Sequence, residues 1–285
     1  MLREIRDLGF SHAELSHGIR ISLMPGILDA VKADEIKIST LHNFCPLPVG
    51  ITGPSPNLYE FSSDRERDRQ LALKHTLTTL DFAVRVGAPL VVLHFGSMNL
   101  KDYTGKLKEM LERGKRGTPE FQKVVAEANA AREAKKKGFY DRSCDMLREL
   151  IGQAKFRGLK LGIEIREAVE ELPLESDFKA LLTEFPEPIF YWHDTGHAQI
   201  KQDLGFINHV AHLASLADRL AGFHIHDVKA PARDHFPPGG GDIDFASLKP
   251  FVKPEHIKVF ELSPKVPLDS VTRSIAHLKR IWGEE

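Results

Sequence analysis

The chain has 285 residues, 42% hydrophobic and 28% charged, which is enough for one large domain, and no apolar run approaches the roughly 20 residues of a membrane span. Lys and Arg (39) nearly cancel Asp and Glu (40) to leave a net charge of −1, which argues against nucleic acid or an acidic membrane as a whole-chain partner. Two distant cysteines, Cys45 and Cys144, argue against a disulfide framework and suit a reducing cytoplasm, and the start Met1-Leu2-Arg3-Glu4-Ile5-Arg6 lacks the apolar core of a secretory signal.

Leu2 to Leu8 reads as the end of a helix closed by Gly9, followed by a short strand from Ser11 to Leu15. No strand pattern precedes that helix. Pro25-Gly26 opens a helix to about Val31, and Ile36 to Phe44 is a strand with Thr40, His42 and Phe44 on one face. Cys45 to Phe61, rich in Pro and Gly, is a long loop at the same edge as His42. From Asp64 a helix runs to Val86 with Leu73, Leu77, Leu80 and Val84 as its apolar stripe, and Gly87 ends it. Pro89 to Gly96 is a buried strand with Val92, His94 and Gly96 facing one way.

Lys101 to Arg142 is too long for a strand-to-helix loop and reads as a helical insertion, its Lys135-Lys136-Lys137 run a solvated face rather than a phosphate site. Leu147, Leu150, Ile151 and Ala154 mark the next helix. The strand Leu159 to Ile165 follows, with Glu164 and Arg166 opposite Ile163 and Ile165, and a charge inside such a strand demands a partner. After a short helix from Leu174 to Phe185, the run Glu187-Pro188-Ile189-Phe190 leads into Tyr191-Trp192-His193-Asp194-Thr195-Gly196-His197, an apolar strand ending abruptly in Asp, Gly and His. Val210, Leu213, Ala217 and Leu220 make a helix, and the strand Leu220 to Asp227 sets Phe223 and Ile225 against His224 and His226. A loop from Val228 to Asp244 carries Lys229, Arg233, Asp234 and His235, the last strand is Ile257 to Leu262 with Glu261, and Val271, Ile275, Leu278 and Trp282 form the closing helix.

Strands and helices alternate throughout, the pattern of parallel strands joined by crossovers, and no Gly-x-Gly-x-x-Gly follows any strand. Length and seven visible strands favour a (β/α)8 TIM-type barrel, one domain over 1–285 with the 101–142 insertion and with the first strand missing or truncated. In such a barrel the C-terminal strand ends ring the active site, so parity collects His42, His94, Glu164, Asp194, His224, His226 and Glu261 there. Three carboxylates and several imidazoles at one mouth call for a cation, one divalent Mn, Mg, Co or Zn. His193, facing outward, and His12, His17, His75, His209, His212, His256 and His277 are assigned to ordinary structural places.

Gly9-Phe10, Ala13-Glu14-Leu15, Val92-Leu93-His94-Phe95-Gly96, Gly162-Ile163-Glu164, His193-Asp194-Thr195-Gly196-His197, Phe223-His224-Ile225-His226-Asp227 and Phe260-Glu261 resemble the xylose isomerase-like TIM-barrel family. That superfamily holds sugar isomerases and ketose 3-epimerases, and also endonuclease IV-type repair enzymes. The resemblance implies a single metal held by Glu164, Asp194, His224 and Glu261, with His197 on the substrate. The family's first strand has no match, so either the start is late or the barrel is gapped.

The chemistry expected is isomerisation or epimerisation of a sugar, sugar phosphate or polyol-like ketone, the metal acidifying a carbon and stabilising an enediolate. One of Glu164 and Glu261 would remove the proton and the other return it, with His42, His94, His197, Lys229 and His235 as substrate residues. The first alternative is a multi-zinc phosphodiesterase like endonuclease IV, for which the chain offers His42, His94, Glu164, Asp194, His197, His224, His235 and Glu261. Arg233 departs from it, standing two before His235 where that class carries an Asp. The second alternative is a non-catalytic sugar-binding barrel. The expected partner is a small carbohydrate, with no membrane and no nucleic acid, and association into a homo-oligomer is left open.

Overall fold

Seven parallel strands lie in one sheet in chain order: β1 (His12–Leu15), β2 (Lys37–His42), β3 (Leu90–Leu93), β4 (Lys160–Glu164), β5 (Ile189–Asp194), β6 (Leu220–Ile225) and β7 (Ile257–Phe260). The helices are α1 (Leu2–Asp7), α2 (Met24–Lys32), α3 (Glu66–Val86), α4 (Tyr103–Glu112), α5 (Pro119–Phe156), α6 (Phe178–Glu184), α7 (Thr195–Asp203), α8 (His209–Leu216), α9 (Phe245–Leu248) and α10 (Leu268–Trp282). This computed structural model describes residues 1–283, so Glu284 and Glu285, the last of the expected 1–285 domain, lie outside the described residues. Parallel neighbours need long crossovers, which the intervening helices supply. Among the described residues no strand precedes α1, and no helix is long and apolar enough to cross a membrane.

Contacts divide the chain into two compact units. The first comprises Met1–Ser97, Gly138–Glu164 and Leu182–Phe190. Within it Leu15 pairs with Leu41, Leu41 with Val91 and Val91 with Leu161, all four fully buried, as parallel strands covered on both faces require. Helix α3 ends at Gly87, whose φ of +72° suits glycine. Its buried face is Ala72, Thr76, Thr79, Leu80, Phe82, Ala83 and Val86, so of the predicted stripe Leu80 is buried, Leu73 and Leu77 are half-buried and Val84 is 49% exposed. The reason is polar: Asn43 Nδ2 donates to Thr76 Oγ1 at 2.9 Å, Thr79 Oγ1 bonds Asn43 Oδ1 at 3.0 Å, and the Cys45 amide donates to Thr79 Oγ1 at 3.0 Å. Hydroxyls paired in this way belong in a core, and an apolar count overlooks them.

The second unit comprises Met98–Lys137, Ile165–Leu181 and the described residues from Tyr191 onward. In it Trp192 of β5 sits opposite Gly222 of β6, and Asp194 opposite His224. A Cβ on Gly222 would lie 2.5 Å from the Ile257 carbonyl oxygen and 2.6 Å from Trp192 Cζ3, so only glycine lets the indole cross the strand there. Helix α7, which the sequence reading did not include, begins directly after Asp194, whose side chain caps it by accepting the His197 amide at 2.7 Å. The loop expected from Val228 to Asp244 holds an antiparallel ribbon of Asp227–Lys229 with Arg233–Phe236. The expected 101–142 insertion has no boundary at its end, because α5 continues as one 38-residue helix to Phe156. Nor is the lysine run merely solvated, since Lys136 pairs with both Glu133 and Asp177 at 2.9 Å.

Candidate metal and active site

In the first unit His42 closes β2, His94 follows β3 by one residue, and Glu164 closes β4, so three parallel strands deliver their side chains to one edge. Glu164 Oε2 lies 2.8 Å from His94 Nε2 and 3.6 Å from His42 Nε2, and the three residues meet the spacing of a metal-ligand group. All three are buried. His42 Nδ1 lies 3.0 Å from the Asn43 carbonyl oxygen and His94 Nδ1 2.6 Å from Asn57 Oδ1. His42 Nδ1, beside a carbonyl oxygen, carries the proton and turns the Nε2 lone pair toward Glu164 when the ring is neutral, whereas His94 has an oxygen acceptor beside each of its nitrogens. A carboxylate facing the His42 lone pair is stabilised by a proton or a cation between them.

In the second unit Asp194 closes β5, His224 lies within β6, His226 just follows it, and Glu261 just follows β7. His224 Nδ1 is 3.2 Å from Glu261 Oε2 and 4.0 Å from Asp194 Oδ2. His197 Nδ1 is 3.3 Å from Asp194 Oδ2 and 3.1 Å from the Ile165 carbonyl oxygen, while Arg166 Nη1 sits 3.2 Å from the same ring. Arg166 is oriented in turn by Glu171, which accepts from its Nε at 3.2 Å.

His226 Nε2 lies 3.0 Å from Asp194 Oδ1, and its ring stacks on that of His235 with centroids 4.2 Å apart and planes 7° from parallel. Burial opposes a charge on His226, but Asp194 favours it and pushes the pKa up to about 9. The nitrogen that would take the second proton, Nδ1, already accepts the His235 amide at 2.9 Å, so a charge comes only at the expense of that hydrogen bond. The geometry seen here, with the amide donating to Nδ1, is that of the neutral ring. His235 is raised despite burial by its hydrogen bond to Asp234, whose carboxyl is lowered by the same contact.

The predicted residues thus assemble within their own units: His42, His94 and Glu164 in one, Asp194, His197, His224, His235 and Glu261 in the other. Lys229 is exposed on the ribbon and joins neither cluster. Sequence reasoning gave Asn57 and Arg166 no place in the site, and it set His226 at the barrel mouth without assigning it a role. His226 carried a signal, since it shares the strand face of His224. His193 is structural as expected, bonded to Tyr191 Oη at 2.8 Å and to His209 Nε2 at 2.9 Å.

The sequence pattern of the xylose isomerase-like TIM-barrel family matches residues 2–280. An uncharacterized protein of Methanocaldococcus jannaschii is 25% identical over 98% of this chain and 91% of its own length. Among solved structures, a 3-keto-D-glucoside 4-epimerase from E. coli superposes with a TM-score of 0.66 at 17% identity, covering 98% of this chain and 92% of that one. A D-psicose 3-epimerase solved in the presence of D-fructose gives a TM-score of 0.66 at 15% identity, covering 99% and 92%.

Proposed function

The chain belongs to the xylose isomerase-like TIM-barrel family, and within it we propose a divalent-metal-dependent isomerase or epimerase acting on a sugar, sugar phosphate or polyol-like ketone. The observation that carries this reading is the convergence of Asp194, His224 and Glu261, with Glu261 and Asp194 oxygens 3.2 Å and 4.0 Å from the same His224 nitrogen. The donor set of carboxylate oxygens and imidazole nitrogen fits Mn, Mg, Co or Zn. In this reading Glu164, Asp194, His224 and Glu261 hold one ion. When bound, the ion supplies Lewis acidity to a substrate carbonyl and its neighbouring hydroxyl.

The proton is moved by the protein. One of Glu164 and Glu261 takes it from the carbon beside the carbonyl, and the other returns it, on the opposite face for an epimerase. His197, braced by Arg166, and His42, His94 and His235 bind hydroxyls, while exposed Lys229 is the substrate residue with least support. The two similar solved structures that act on sugars support the substrate class. A cytoplasmic setting agrees with both cysteines being free.

A second reading, a multi-zinc phosphodiesterase, is favoured by the His42, His94 and Glu164 group, which has ligand spacing for a further ion. Against it stands Arg233, an exposed cation two residues before His235. Elemental analysis of protein purified without chelator, with assays on ketoses and on abasic-site DNA, decides. About one ion per chain and ketose turnover abolished in Glu164→Gln and Glu261→Gln is the expected result. Two or three zincs with DNA cleavage and no ketose turnover would replace the first reading by the second.

A further inference from the structure

The stretch Asp194-Thr195-Gly196 is built around a single side chain, the imidazole of His226. Thr195 Oγ1 donates to the His226 carbonyl oxygen at 2.7 Å and accepts the His226 amide at 3.1 Å, clamping that residue's main chain from both sides. Gly196 leaves room for the ring: a Cβ there would fall 1.9 Å from His226 Cε1 and 2.3 Å from Nδ1, so even alanine would displace it. Asp194 receives the ring's Nε2, 3.0 Å from Oδ1 and 3.2 Å from Oδ2. On its far side the His235 ring stacks against it, and the His235 amide donates to His226 Nδ1 at 2.9 Å.

The last hydrogen bond fixes the tautomer. A main-chain N–H only donates, so Nδ1 is an acceptor and the single proton of the neutral ring lies on Nε2, aimed at Asp194. A nitrogen that carries a proton for a carboxylate offers no lone pair to a metal. His224, by contrast, turns Nδ1 toward both Glu261 and Asp194. We propose that His226 is the positioning residue of this centre, an Nε2–H donor that holds the Asp194 carboxylate in place for the metal and is not itself a ligand.

The inference rests on the reading of Asp194 as a metal ligand given above. It also accounts for two motif residues that ligation alone leaves unexplained: Thr195 and Gly196 seat the donor. Carboxylate ligands need such outer partners to fix their orientation, and losing one typically weakens metal affinity about 10- to 100-fold.

The test combines nitrogen NMR of the metal-free full chain, which reads the tautomer directly, with calorimetric titration of Mn²⁺ into wild type, His226→Leu, His226→Gln and Gly196→Ala. The expected results are a proton on Nε2 of His226, Mn²⁺ binding weakened about 10- to 100-fold in His226→Leu and in Gly196→Ala, and recovery of most of that loss in His226→Gln, whose amide can donate to the same oxygen. Should His226→Leu fail to fold, the wild-type tautomer and the Gln and Ala variants still decide. Wild-type affinity in a folded His226→Leu protein, or a proton on Nδ1, overturns the role of His226 while leaving the metal reading intact. A wild type that binds neither Mn²⁺, Co²⁺ nor Zn²⁺ overturns both.

Discussion

Glu164 Oε2 stands 2.8 Å from His94 Nε2, a carboxylate with no exposed surface held against an imidazole whose other nitrogen is engaged by Asn57 at 2.6 Å. Burial confines the side chain, which suits a group that must present one oxygen to a ligand. Glu164→Gln keeps the shape and removes the charge and basicity. We expect kcat/KM on a ketose substrate to fall at least ~100-fold, the usual scale for losing a general base, and Mn²⁺ affinity to fall with it, while the melting temperature shifts by only a few degrees. A Gln protein that turns over and binds Mn²⁺ like wild type would remove Glu164 from the centre.

The second unit holds a buried ion network that has nothing to do with that centre. Glu175 accepts from Arg132 Nη2 at 2.6 Å and from Lys201 Nζ, and both cations are almost fully buried. Burial alone would raise the Glu175 carboxyl, yet Lys201 and Arg132 outweigh it and hold it down to about 2 from an ordinary 4.5. A carboxyl lowered on folding stabilises fully above its unfolded value of 4.5, and that contribution is lost as pH falls through about 2. Glu175→Gln leaves two cations in the interior without a counter-charge. Its expected cost at neutral pH, read from urea unfolding, is about 3–5 kcal/mol, and a cost below about 1 kcal/mol would mean that water reaches the pair.

How much of this was legible beforehand follows from the kind of signal. The strands read well, because parallel strands buried on both faces are apolar throughout, and their polar ends at His42, Glu164 and Asp194 break that pattern abruptly. For helix α3 the apolar stripe gives only part of the buried face, Leu80, since other core contacts run through Thr76 and Thr79, whose burial depends on the partner Asn43, 33 and 36 residues away in sequence. Helix α7 was not foreseen because its cap, Asp194, reads first as a strand end. The role of His226 required a coordinate: that an atom on Gly196 would overlap the ring is a statement about space, which spacing along a chain does not contain.

Asp227 organises the loop that carries His235. Its Oδ1 accepts the amides of Val228 at 2.8 Å and Ile243 at 3.0 Å, and its Oδ2 those of Gly239 and Gly241 at 2.9 Å each. Hydrogen bonds to a charged acceptor are worth roughly 1.5–3 kcal/mol apiece, and four of them converge on one residue that is fully buried. Asp227→Asn turns one acceptor oxygen into a donor facing two amides. Amide exchange should speed up at least ~10-fold across residues 228–243 and stay unchanged in α3, as read by mass spectrometry. Uniform exchange rates in both segments would show that the loop is held by something else.

The histidines assigned to structure make a pH prediction of their own. His193 Nε2 meets His209 Nε2 at 2.9 Å in an interior shared with Tyr191 and Phe178. Burial first, and His212 second, push His209 down to about 3, and burial pushes His212 down to about 4. Both fold as neutral rings. A histidine whose pKa falls on folding contributes stability that is whole above its unfolded value of 6.5 and erodes as pH drops toward the folded value. Each such ring then costs about 1.4 kcal/mol per pH unit below 6.5. Between pH 6.5 and 5 the urea midpoint of the wild type should therefore decline, and in His209→Leu the decline should shrink by about 2 kcal/mol in unfolding free energy, one proton's worth over that interval. An unchanged slope in the Leu protein would mean that His209 is already charged or solvated in the folded chain.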